Sequence, residues 1–207
     1  MRDKSYIWIS FIVLIFGIWV VPKVIKKFEK ADLMYMGTAP HFELTNQDGK
    51  TITSDNYKGK VYVVEFFFAN CPTICPIMNM NMVKLQNAFY GNMNFGIASI
   101  SIDPVNDTPE ALKRHATELG VKNPYWYMMT GDGKYIYDLA KKFNLYTGVN
   151  PEAAGGFEHS GLFALIDKEG NIRCRKDEHG NPILYYDGTD DEAVEWLKED
   201  IKLLLDE

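Results

Sequence analysis

The sequence predicts an α/β sandwich built on a mixed β-sheet. Two apolar runs without alternation, VYVVEFFF (61–68) and FGIASISI (95–102), suit strands buried on both faces. Segments with helical apolar spacing alternate with them. A hairpin signal near the carboxyl terminus, followed by an amphipathic helix, adds antiparallel pairing to the sheet. A chain of 207 residues that is 46% hydrophobic has material for one well-packed domain and little left for a second.

At the amino terminus MRDK precedes the uncharged run YIWISFIVLIFGIWVV (6–21), and PKVIKK follows it. The run falls short of the ~20 residues of a full span, but Val24 and Ile25 lengthen it and Lys23 can reach back to the interface. A cleaved signal peptide shares this layout; Pro22, Lys23 and the absence of a small-x-small site argue for an uncleaved anchor. Residues 1–36 are therefore expected to be a membrane anchor and charged tether, and 37–207 the globular domain. Arg2 and Lys4 on one side roughly balance Lys23, Lys26 and Lys27 on the other, so the positive-inside rule leaves orientation open. The first 30 residues carry six Lys/Arg against two Asp/Glu, and the rest 16 against 26. An acidic domain argues against nucleic acid as a partner.

HFELTNQDGKTITSDNYKGK (41–60) holds an Asp-Gly turn between short alternating runs, a hairpin signal. The strand at 61–68 follows, then a helix at 76–89 and the strand at 95–102. A second helix opens at DTPE, with Asp107 or Thr108 as cap and Pro109 in its first turn. A strand at 125–129 and a helix at 134–143 come next. LFALID (162–167), the turn KEGN and ILYY (183–186) read as the closing hairpin, and DEAVEWLKEDIKLLL as the last helix.

CPTICP places Cys71 where a buried strand gives way to a helix, at the carboxyl edge of the sheet, where α/β proteins keep their chemistry. On a helical turn Cys75, at i+4, would face the same way, so both sulfurs could reach one ion or each other. The first turn's free amides and dipole favour thiolate, which binds metal and also attacks disulfides. Pro76 suits the first turn and Pro72 stiffens the loop. Two ordinary buried cysteines are the plain alternative, but C-P-x-x-C-P at such a junction is poorly explained by packing. The pair alone does not separate metal from disulfide. A third ligand would.

Three of the four histidines have settings that suit solvated or capped side chains: His41 in the first hairpin, His115 on a helix, His179 in a polar turn. His159 stands in GGFEHSG, just before LFALID, and an antiparallel pairing of that strand with 61–68 would bring it beside Cys71. Two thiolates and an imidazole form a soft set that suits copper; zinc would usually want a fourth ligand.

With these residues in place, the sequence resembles the Sco/SenC family through HFELTNQDGKTITSDNYKGK, CPTICP, SIDPVNDTPEALKRHA and FEHSGLFALIDKEGNI. The resemblance implies a thioredoxin-like fold (peroxiredoxin-like variant) with an N-terminal hairpin and a single N-terminal membrane helix. It implies copper, as Cu(I), Cu(II) or both, bound by Cys71, Cys75 and His159, and a role in assembling the copper centre of cytochrome c oxidase. Asn70 stands where many members have histidine, and Phe67 replaces a frequent glycine. Glu65, six residues before Cys71, lies at the offset where thioredoxins carry a buried acid, so it is a candidate proton acceptor; an edge-exposed glutamate is the alternative. Asp103 could tune the site from behind its ligands or serve only as a turn residue before Pro104. Met78, Met80 and Met82 are read as packing rather than a copper relay, and Cys174 as a free thiol.

Two functions follow as expectations. One is a copper metallochaperone needing no bond-making catalysis, with an oxidase subunit as client. The other is a thiol-disulfide oxidoreductase using Cys71 and Cys75 to reduce a copper-accepting partner. A peroxidase on the same fold is weaker, because no separate peroxidatic motif occurs. The expected location is membrane-anchored on the periplasmic or outer face of the cytoplasmic membrane, with the mitochondrial inner membrane as the alternative. A thiol reductase that recharges the pair is a further expected partner.

Overall fold

The computed structural model describes residues 10, 13–18, 20, 33–153 and 155–207. The chain forms two compact units, Met1–Asp32 and Leu33–Glu207. In the first, residues 13–18 are helical. Most of the expected anchor lies outside the described residues; among those described, no helix is long and apolar enough to cross a membrane.

The described residues of the second unit carry twelve strands, β1 (Met34–Thr38), β2 (Glu43–Asn46), β3 (Thr51–Thr53), β4 (Val61–Phe67), β5 (Phe95–Ser101), β6 (Trp126–Thr130), β7 (Thr147–Val149), β8 (Phe157–His159), β9 (Leu162–Ile166), β10 (Asn171–Lys176), β11 (Pro182–Ile183) and β12 (Tyr186–Asp187). Among the described residues of this unit, four α-helices accompany them, α1 (Cys75–Ala88), α2 (Pro109–Glu118), α3 (Gly133–Lys142) and α4 (Asp191–Asp206), with one 3-10 turn at Ser54–Tyr57. The main sheet runs β1-β10-β9-β4-β5-β6-β2-β3, with β11 on β10, β12 on β9, and β7-β8 as a separate pair. Its centre is mixed: β4, β5 and β6 are parallel neighbours, while β9 lies antiparallel to β4.

Every residue of β4 and β5 is buried, as their unbroken apolar runs require. Both strands stop together: Phe67 pairs with Ser101, and the next amide, of Ile102, donates to the Phe67 carbonyl. The cysteines follow directly. α1 buries polar as well as apolar side chains, and two of them find backbone partners: Asn81 donates to the Gly188 carbonyl and Gln86 accepts from the Lys122 and Asn123 amides.

Three expectations need correcting. LFALID pairs through the KEGN turn with β10, whereas ILYY divides between the short β11 and β12. The alternation of NIRCRK marks it as a half-buried strand, and proximity to the turn decides the pairing. Met34 and Tyr35, assigned to the tether, belong to an edge strand paired with Cys174 and Arg173, and Leu33 just before it is buried. α1 begins only at Cys75, so Cys71 is not on a helical turn with it.

Candidate metal centre

Cys71 sits in the bend between β4 and α1, and Cys75 is the first residue of α1. The i, i+4 helical geometry therefore does not bring the sulfurs together; the bend does. Pro76 occupies the first turn, where its missing N–H costs nothing. Ile74, at the N-cap position, provides no side-chain cap. The Cys71 sulfur lies 3.5 Å from the Thr73 hydroxyl, within the same bend.

His159 ends β8, in the hairpin apart from the main sheet. The antiparallel β4–β9 pairing sets where that hairpin returns, and Ser160 and Gly161 bridge it to β9. His159 Nε2 lies 3.1 Å from Cys75 Sγ, and Nδ1 lies 3.3 Å from the Ser160 carbonyl. With Nδ1–H donating to that carbonyl, the Nε2 lone pair faces the sulfur. The ring stands edge-on to Phe68 at 5.8 Å, and Phe68 also packs on Phe157 at 5.2 Å. One ligand atom from each of Cys71, Cys75 and His159 lies within 4.8 Å of the others, close enough to share one ion. A cleft of about 190 Å³ opens beside them, lined in part by Phe68, Thr73, Ile74 and Phe157.

The two thiols differ. Burial pushes the Cys71 thiol up, but hydrogen bonds from the Thr73 hydroxyl and the backbone amides of Cys75 and Thr73 outweigh it, so Cys71 lies below the ordinary thiol range. Burial, with the neighbouring Cys71 and the Glu65 carboxylate adding repulsion, pushes Cys75 far above it. Relative exposure agrees, at 7% for Cys71 and 1% for Cys75. Burial also lowers His159, against the pull of the Ser160 carbonyl, so the ring is neutral and able to ligate at neutral pH.

Glu65 is fully buried, not edge-exposed. Oε1 accepts from Ser99 Oγ at 2.6 Å, and Trp126 Nε1 donates to the same hydroxyl at 3.0 Å. Oε2 has no hydrogen-bond partner among the described residues. Burial raises this carboxyl to about 7, with the Ser99 bond pulling partly back. Sequence reading found Glu65 but not Ser99 or Trp126, which reach it by register across β5 and β6.

Asp103 is buried but turned to its own loop, accepting from the Asn106 amide and side chain. It lies outside the Cys71–Cys75–His159 group found among the described residues. Thr108, not Asp107, caps α2, accepting from the Ala111 amide. Asp107 instead is 1% exposed, and its Oδ2 accepts from the Ala69 amide at 2.9 Å and from Ser101 Oγ at 2.5 Å. Only its place in DPVNDTPE, just past the carboxyl end of a central strand, could have signalled this. His41 and His179 are exposed. His115 stacks on Phe67 and bonds to Asn79, away from the thiols' ligand group. Met78 and Met82 are fully buried in the core while Met80 is 63% exposed, and Cys174 is a free, buried thiol.

The SCO1/SenC family model matches residues 35–190. A SCO1 protein homolog of Bacillus subtilis (strain 168) is 34% identical over 148 residues, 70% of this chain and 76% of that protein. The solved structure of BsSco, described as a member of the Sco family of cytochrome c oxidase assembly proteins with a disulfide switch, matches with a TM-score of 0.68 at 29% identity, over 84% of this chain and 95% of that one. Yeast Sco1 with copper bound matches with a TM-score of 0.60 at 25% identity, over 80% and 88%.

Proposed function

The chain belongs to the SCO1/SenC family, and on that premise we propose that it binds copper through Cys71, Cys75 and His159 and delivers it during assembly of a cytochrome c oxidase copper centre. One observation carries the reading: two sulfurs and a neutral imidazole nitrogen, from three different elements, lie within 4.8 Å of each other. A dithiol working by exchange alone has no use for the imidazole. The donor set fits copper, since thiolate and imidazole are soft to intermediate ligands and no carboxylate joins them. Copper is cargo here. Cys71, already biased toward thiolate and lining the cleft together with His159, is the thiol that can open first to an acceptor, whereas Cys75 does not line the cleft and is held from within it by His159.

The yeast and BsSco relatives support the copper and oxidase parts of this reading. The client is accordingly a membrane-bound oxidase subunit. Residues 1–32 are proposed as anchor and tether to the domain that begins at Leu33, on the outer face of the cytoplasmic membrane. Exposure of Val13, Leu14, Ile15, Phe16 and Ile18 favours this.

A second reading rests on Glu65 and the unequal thiols. The Cys71 thiolate would attack a partner disulfide, and Cys75 would then displace the partner's thiolate from the mixed disulfide. Two electrons pass to the partner, and the pair ends as a disulfide that a thiol reductase must recharge. Glu65 would take the Cys75 proton.

Copper competition titration of the 207-residue chain in detergent separates the two. His159→Ala is expected to weaken binding at least about tenfold, while disulfide reduction persists. Equal copper affinity in parent and variant, with both rapidly reducing a disulfide partner, would overturn the chaperone reading in favour of the reductase.

A further inference from the structure

We propose that Asp107 is a positioning residue for the copper site, acting as a clamp that fixes the bend carrying Cys71 to the end of β5; the inference rests on the copper reading above.

β4 is the last segment before Cys71 held by the sheet, and its final ladder bond is the Phe67 carbonyl taken by Ile102. Between that point and α1 the chain has few fixed points. The Cys71 amide turns back to the Phe68 carbonyl at 3.2 Å, a contact internal to the bend that does not tie it to the body. The Ala69 amide does, through Asp107 Oδ2 at 2.9 Å. The same oxygen accepts from Ser101 Oγ, the last residue of β5, and Ser101 Oγ accepts from the Asp103 amide at 3.1 Å. The Asp107 amide donates to the Asp103 carbonyl at 2.9 Å. Residues 101–107 thus form one closed knot, tied to Phe67 and Tyr137 through the backbone of Ile102 and, through Asp107, to Ala69, two positions before the first proposed ligand.

Helix capping does not account for this carboxylate, because Thr108 performs it. Asp107 is nearly buried, and burying a carboxylate is unfavourable unless strong bonds compensate. Those bonds are to Ala69 and Ser101, so the position makes sense as a join between the cysteine bend and β5. Groups that orient metal ligands from behind are worth about 10–100-fold in affinity. The contact runs through a backbone amide, so its removal would release the bend, not the helix or the histidine hairpin.

The test compares Asp107→Ala, Asp107→Asn and Tyr186→Phe in the 207-residue chain. Asn keeps an oxygen acceptor without the charge. Tyr186→Phe removes a buried hydrogen bond to Asp200, outside the copper group, and serves as the stability control. Copper affinity by competition is expected to fall about 10–100-fold in Asp107→Ala, to recover most of that loss in Asp107→Asn, and to stay at the parent value in Tyr186→Phe. In the metal-free proteins, amide exchange at Ala69 is expected to accelerate at least about tenfold in Asp107→Ala while Val63 in β4 keeps its protection. Parent-like affinity in Asp107→Ala, or an equal loss in Tyr186→Phe, overturns the proposal. If the parent itself does not bind copper, the function proposed above fails. The clamp is then judged by exchange alone, and unchanged Ala69 protection overturns it.

Discussion

Glu65 makes the stability of the domain depend on pH. Its carboxyl is raised from 4.5 to about 7 in the fold, so the folded state favours the protonated form. The stability this group supplies is complete below about pH 4.5 and is lost as pH rises through about 7, roughly 3 kcal/mol in all at about 1.4 kcal/mol per pKa unit. Glu65→Gln preserves an acceptor for Ser99 and removes the titration. Denaturant unfolding at about pH 4.5 and about pH 8 is expected to show the parent losing about 3 kcal/mol more than the variant between them. Equal losses would mean that the fold does not favour the protonated carboxyl. The methionines admit a similar comparison. Met78→Ala is expected to cost about 2–5 kcal/mol by leaving a cavity, and Met80→Ala to stay within about 0.5 kcal/mol, with copper affinity unchanged in both. A copper-affinity loss in Met80→Ala would revive the thioether relay.

The hairpin β7-β8 delivers the histidine, and its approach to the cysteine bend depends on a glycine. Gly155 has φ +85°, and a Cβ there would lie 2.8 Å from the Phe68 ring and 3.1 Å from Pro72. Gly155→Ala therefore meets a left-handed backbone penalty of about 1–2 kcal/mol and a clash with the ring on which His159 rests. Copper titration and thermal unfolding are expected to show weaker binding together with a lowered Tm; unchanged affinity would mean that the hairpin can shift without carrying His159 away. Sequence reading saw the glycine-rich loop but not the small separate sheet, because two three-residue strands carry too little alternation to register. It also placed both cysteines on one turn. A proline on each side of the pair and the helical spacing after it do not reveal that the helix starts at the second cysteine. β4, β5, α2 and α4 were legible because burial wrote long, unambiguous patterns into them. The proposed ligands, which the structure brings within 4.8 Å of one another, were legible by residue type and by the antiparallel placement of β9. Asp107 and the Ser99–Trp126 support of Glu65 were not, since each depends on register between strands distant in sequence.

Across the whole molecule, strand order differs sharply from chain order. β9 lies between β4 and β10 although some 95 residues separate it from β4 in the sequence. His159 precedes β9 by only a few residues, and neither cysteine can meet it until that strand enters the sheet. The chain is made from its amino terminus, so both thiols emerge long before their third partner and before the sheet that would bury them. A nascent or partly threaded chain thus offers a bare dithiol, which an oxidant can pair or a passing metal can bridge, but not the three-donor centre. On the proposed copper reading, loading is tied to completion of folding: the three donors meet only where the carboxyl-terminal strands of the chain are allowed to collapse.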